Sequence, residues 1–167
     1  MNEPDQYYAV CFRFEHKEYF LIWISSDIDR LVLSTEKKLA VFSSIEELIM
    51  FAEQSDFLVH SEVTPLYDFD ALADWTKVPD PNKIDCKIFL DAWNMSGDIE
   101  KSFGRKLEEP DESSAVYDKL FYGNNLSSIT PQGEHYIPQC SKDEVTCIVS
   151  VFEEGLNTLL DSIERAI

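Results

Sequence analysis

Val145, Ile148, Val149, Phe152, Leu156, Leu159, Leu160 and Ile163 recur at intervals of three and four near the end of the chain. That spacing places them on one stripe of a helix running to about Ala166. Ser141 and Glu144 open it with the capping-box pattern, in which each side chain covers a backbone N–H that the first turn leaves free. A long helix with one apolar stripe must lay that stripe on a core, so the rest of the chain has to build the surface that receives it.

The first third supplies strands. Tyr7 to Phe14 and Tyr19 to Ser25 (YFLIWIS) are rich in aromatic and β-branched residues, and the polar stretch Glu15-His16-Lys17-Glu18 separates them. This pattern predicts a β-hairpin. Lys38 to Phe42 is expected as a third strand and Phe57 to His60 as a short return to the sheet. Ser43 and Ser44 each have a Glu three residues on, which predicts a helix from there to about Gln54 with Ile45, Leu48, Ile49 and Ala52 on its inner face.

Helices follow. Phe69 to Thr76 is expected as a short helix with Leu72 and Trp75 turned inward. Lys83 to Phe103 carries Ile84, Ile88, Phe89, Ala92 and Trp93 on one stripe, and Gly104 can end it. Arg105 to Ser114 reads as a polar loop, Ala115 to Tyr122 as a short helix, and Gly123 to Gln139 as an irregular segment rich in turn formers. Strands first and helices later predict an α+β fold: a small antiparallel sheet built on the N-terminal hairpin and covered by helices, as a single domain over residues 1–167. A chain of 167 residues with 44% apolar content can bury a core without disulfides or metal.

Charge narrows the function. Thirty-two Asp and Glu face fourteen Lys and Arg, a formal charge of −18. Nucleic acid and anionic lipid would be repelled, so neither is expected as a partner; a basic protein would be attracted. The bland alternative is that the charge only keeps the protein soluble. The N-terminal Met1-Asn2-Glu3-Pro4-Asp5 has no secretory pattern, and no apolar run reaches the length of a membrane span. Cys11, Cys86, Cys140 and Cys147 form no C-x-x-C pair. A cytoplasmic chain with free thiols is expected.

The search for chemistry is negative. The chain has no phosphate-binding glycine loop, no G-x-S-x-G and no H-E-x-x-H. Asp80 to Asp91 has the length of a calcium loop, but Asp85 stands where the sharp turn requires glycine. His135, Cys140 and Cys147 are spaced too widely for a structural zinc site. No catalytic residue, cofactor or metal is expected.

The acidic residues collect in two runs. Asp68, Asp70, Asp74, Asp85 and Asp91 belong to the first, and Glu108, Glu109, Asp111 and Glu112 to the second. Asp70 and Asp74, four apart on a helix, would repel each other. Carboxylates kept at such spacing suggest a surface that steers a basic partner, with Tyr117 and Tyr122 as aromatic anchors beside it.

Phe89-Leu90-Asp91-Ala92-Trp93-Asn94, Tyr117-Asp118-Lys119-Leu120-Phe121-Tyr122-Gly123-Asn124-Asn125 and the TPQGEHYIP segment before the final helix give the last half of the chain a resemblance. It resembles the immunity proteins of bacterial contact-dependent growth inhibition. The resemblance implies a protein that neutralises the C-terminal nuclease domain of a surface adhesin, and it implies no particular site residues; a monomer before binding is expected. A nuclease that grips phosphates needs a cationic groove, which an acidic protein can occlude. The competing expectation is an acidic nucleic-acid mimic or adaptor that binds a host nucleic-acid-binding protein; an enzyme with an unrecognised site is a third.

Overall fold

The computed structural model describes residues 3–166. Strands β1 (Gln6–Phe14) and β2 (Lys17–Ser25) form the hairpin, paired from Gln6 opposite Ser25 to Phe14 opposite Lys17. Its turn is Glu15-His16 alone, shorter than the polar stretch in the sequence, and both residues have positive φ, 52° and 62°. A two-residue turn of this kind twists in the same sense as the strands it joins, which favours it even without glycine.

Alternation along these strands gives the sheet two apolar faces. Val10, Phe12, Phe14 and Leu21 belong to the larger core, and Ala9, Ile22 and Ile24 to a smaller one. Both faces have to be covered. Helix α1 (Ile45–Gln54) covers the smaller with Leu48 and Ala52. Helices α2 (Phe69–Lys77) and α3 (Cys86–Ser102) lie against the larger. Helix α4 (Ser113–Tyr122) packs on α3, and α5 (Lys142–Ala166) lies across α2, α3 and α4.

The class is α+β, as the order of elements implies, and the sheet is mixed. β3 (Arg30–Leu31) pairs antiparallel with β2, while β4 (Val59–His60) and β5 (Leu66–Asp68) pair parallel with β1. The expected antiparallel arrangement therefore holds for the hairpin, β3 and the isolated bridges at Leu39 and Phe42, and not for β4 and β5. The parallel pairings arise because α1 carries the chain back across one face before β4 forms, and a strand that returns by a crossover can run parallel to its neighbour. Residues 38–42 make isolated bridges, Phe20 with Phe42 and Leu33 with Leu39, rather than the continuous third strand expected.

Helix boundaries follow their caps. Ser44 accepts from the Glu47 N–H to start α1. The α3 helix starts at Cys86, later than the apolar pattern suggested, because the Asp85 carboxylate accepts from the Ile88 N–H and fixes the first turn. Before α5, Ser141 Oγ accepts from Glu144 N–H at 3.2 Å and the Glu144 carboxylate accepts from Ser141 N–H at 3.0 Å, the reciprocal pattern expected. The buried line of α5 runs through Cys147, Ile148, Val151, Phe152, Gly155 and Leu159, with Val145, Val149, Leu156 and Leu160 on its borders. Between α4 and α5 the irregular segment is clasped by Asn125, whose side chain accepts from Tyr136 N–H at 2.7 Å and donates to Tyr136 O at 2.9 Å.

Candidate partner-binding cleft

A cleft of about 620 Å³ opens where α3 passes between the sheet and α4. Trp23 of β2 and Tyr67 of β5 line one side, and Trp93 of α3 with Tyr117 of α4 the other. Asp91, Asn94, Asp98 and Lys101 follow one another at intervals of three and four along α3, so one helix face carries them all into the cleft. Asp29, Asp91, Asp98 and Glu109 give it four carboxylates against the two ammonium groups of Lys101 and Lys106.

Two of the carboxylates hold the indoles in place. Trp23 Nε1–H donates to Asp98 Oδ2 at 2.9 Å, and Trp93 Nε1–H donates to Glu109 Oε1 at 2.8 Å. Trp93 also packs edge-on against Tyr117, centroids 5.5 Å apart, and the Tyr117 hydroxyl donates to Asn94 Oδ1 at 2.8 Å. Trp23, Trp93 and Tyr117 are thereby each held by both packing and a hydrogen bond.

Asp98 is 9% exposed. Burial pushes its carboxyl above the usual aspartate range; the Trp23 hydrogen bond and Lys101 oppose this, and Asp29 reinforces it. Burial, then Asp91 and Asp98, pushes the Tyr67 hydroxyl up to about 12. The cleft therefore sets carboxylates in a partly dry setting, and groups perturbed in this way are candidates for function.

The residues expected to meet a partner separate into four groups. Asp91, Glu109 and Tyr117 converge on the cleft. Asp68, Asp70 and Asp85 serve the fold: Asp68 caps α2 by accepting from Ala71 N–H and pairs with Arg13, Asp85 caps α3, and Asp70 accepts from the backbone N–H groups of the hairpin turn. Asp74, Glu108, Asp111 and Glu112 are exposed, and Asp74 approaches Lys77 at 3.9 Å. Tyr122 is about half exposed and borders a separate hollow with Ile129, Pro131 and Tyr136. Asp98, Asp29 and Trp23 were not legible as site residues. The seven-residue spacing of Asp91 and Asp98 on one helix was the available signal for Asp98.

Among the described residues, no group of three or more His, Cys, Asp or Glu side chains is placed to hold a metal ion, and all four cysteines are free thiols. No described helix is long and apolar enough to cross a membrane. No protein-family model, curated protein or solved structure matches the chain.

Proposed function

We propose that the protein is an immunity protein that binds a basic toxin nuclease and blocks its substrate groove. The observation that carries this reading is the acid–aromatic cleft on a molecule of charge −18. Long-range attraction brings a cationic surface to the protein, and aromatic rings beside the buried Asp98 and its neighbouring carboxylates supply the short-range grip. A nuclease groove built to hold phosphates is the most cationic surface of such a toxin, so attraction and inhibition fall on the same place. The protein acts by occupancy and performs no catalysis.

The mimic reading calls for a row of free carboxylates at the phosphate repeat. The engagement of Asp68, Asp70 and Asp85 in caps and turn contacts weighs against such a row in the first acidic run.

If a toxin nuclease domain is encoded immediately upstream, its catalytically inactive form and a non-cleavable RNA make the test. The domain should bind this protein, RNA should compete, and co-expression should restore growth to cells making the active toxin. A stable ternary complex of toxin, RNA and protein would exclude occlusion, and absence of any binding would exclude the immunity role.

A further inference from the structure

Gly97 lies inside α3, where glycine is less stable than alanine by about 0.5–1 kcal/mol. Nothing inside the molecule requires it. Its backbone is helical, and a Cβ placed there would meet no atom within 4 Å. Gly155 of α5 is the contrast. A Cβ there would come within 2.6 Å of Ser96 Oγ, so helix packing accounts for that glycine. Gly97 instead leaves bare backbone on the wall of the cleft.

The carboxylates around it are half used. Asp98 spends Oδ2 on Trp23 and leaves Oδ1 with only a 3.5 Å contact to Lys101. Glu109 spends Oε1 on Trp93 and leaves Oε2 with only a 3.4 Å contact to Ser113. Short charge-assisted hydrogen bonds lie at about 2.7–2.9 Å, so both oxygens retain capacity to accept. Lys101, whose own side chain is half exposed, is the cation beside Asp98, at 3.5 Å.

We infer that the cleft is a receptor for one arginine side chain of the partner, which passes over the bare backbone at Gly97 to reach the carboxylates. This rests on the reading that the partner is a basic protein. A guanidinium suits the site better than an ammonium. It is planar, it is weakly hydrated, it stacks on aromatic rings, and it offers several N–H donors to separate carboxylates at once.

The chain's three tryptophans make the test readable. Trp23 and Trp93 line the cleft, whereas Trp75 donates to Asp80 O elsewhere and serves as the internal control. N-acetyl-arginine amide is titrated into the protein while the three indole N–H signals are followed by NMR. The Trp23 and Trp93 signals should move saturably, with a Kd of about 1–10 mM for so small a probe, and Trp75 should stay still. N-acetyl-lysine amide should bind several-fold more weakly. Gly97→Leu should cover the bare backbone on the cleft wall and abolish the shifts, and Asp98→Asn should weaken binding about tenfold without lowering Tm. Unsaturable shifts, equal movement of Trp75, lysine binding as tight as arginine, or normal binding in both variants would overturn the assignment. The two readings fail differently. Arginine binding without any toxin partner keeps the cleft and removes the immunity role. Toxin binding undiminished in both variants removes the cleft and keeps the role.

Discussion

Asp70 accepts hydrogen bonds from the backbone N–H groups of Glu15 at 2.7 Å and His16 at 3.0 Å, the two left-handed residues of the hairpin turn. Its carboxylate joins α2 to the turn and offsets part of the strain that non-glycine residues carry there. Asp70→Ala should therefore destabilise the protein by about 2–3 kcal/mol, a fall in Tm on the order of 5–10 °C by calorimetry. An unchanged Tm would return Asp70 to the pool of surface charges. Asp98 is the opposite kind of carboxylate. Its folded pKa is raised, so its contribution to stability is complete below the ordinary value of 3.8 and declines as pH rises through the folded value. Asp98→Asn should gain stability relative to the natural protein as pH rises from the ordinary aspartate value towards neutrality. Melting both proteins across that range checks this, and a gap that narrows with rising pH would show that the charge is compensated within the fold.

Helices α3 and α5 cross at Ser96 and Gly155, and their separation is set by the missing side chain. Ser96 Oγ donates to Ala92 O at 2.8 Å and is buried, so it has little room to retreat. Gly155→Ala should push the helices apart and destabilise the protein by about 1–3 kcal/mol, despite alanine's better helix propensity. Gly97→Ala, on the open face of α3, should stabilise by about 0.5–1 kcal/mol. Denaturant unfolding of the two variants side by side reads the contrast directly. Changes of the same sign would mean that the two glycines do not differ in the way their surroundings indicate. The capping carboxylates Asp68 and Asp85 belong to this scale as well, because each fixes where a helix begins and so where its apolar stripe points.

A formal charge of −18 acts on the whole molecule in two directions. It repels itself, which weakens the compact state, and it attracts cations from a distance. Added salt screens both, since the Debye length falls to about 8 Å at physiological strength. Tm should rise with salt while association with the proposed basic partner slows. The exposed residues Asp74, Glu108, Asp111 and Glu112 offer a cleaner probe than the capping ones. Reversing these four to Lys, two charges each, takes the formal charge from −18 to −10. Association measured by stopped flow in low salt should slow by about tenfold or more, with each site changing stability by no more than about 0.5 kcal/mol. An unchanged rate would place the steering field elsewhere.

Local pattern determined most of the elements. The hairpin, the capped α1, α2 with Leu72 and Trp75 inward, and the capping box of α5 all follow from residues close in the chain, because periodicity, caps and turns are short-range effects. The negative charge was equally plain from composition. Tertiary structure decided the parallel pairing of β4 and β5, since a crossover depends on where α1 packs. It also sorted the carboxylates. Asp68, Asp70 and Asp91 look alike in the sequence, yet one caps a helix, one holds a turn and one faces the cleft. Glu109 and Trp93 are sixteen residues apart and Trp23 and Asp98 seventy-five, and no local rule joins such pairs. A carboxylate's role depends on which donors and how much water surround it, and those are fixed only when distant segments pack.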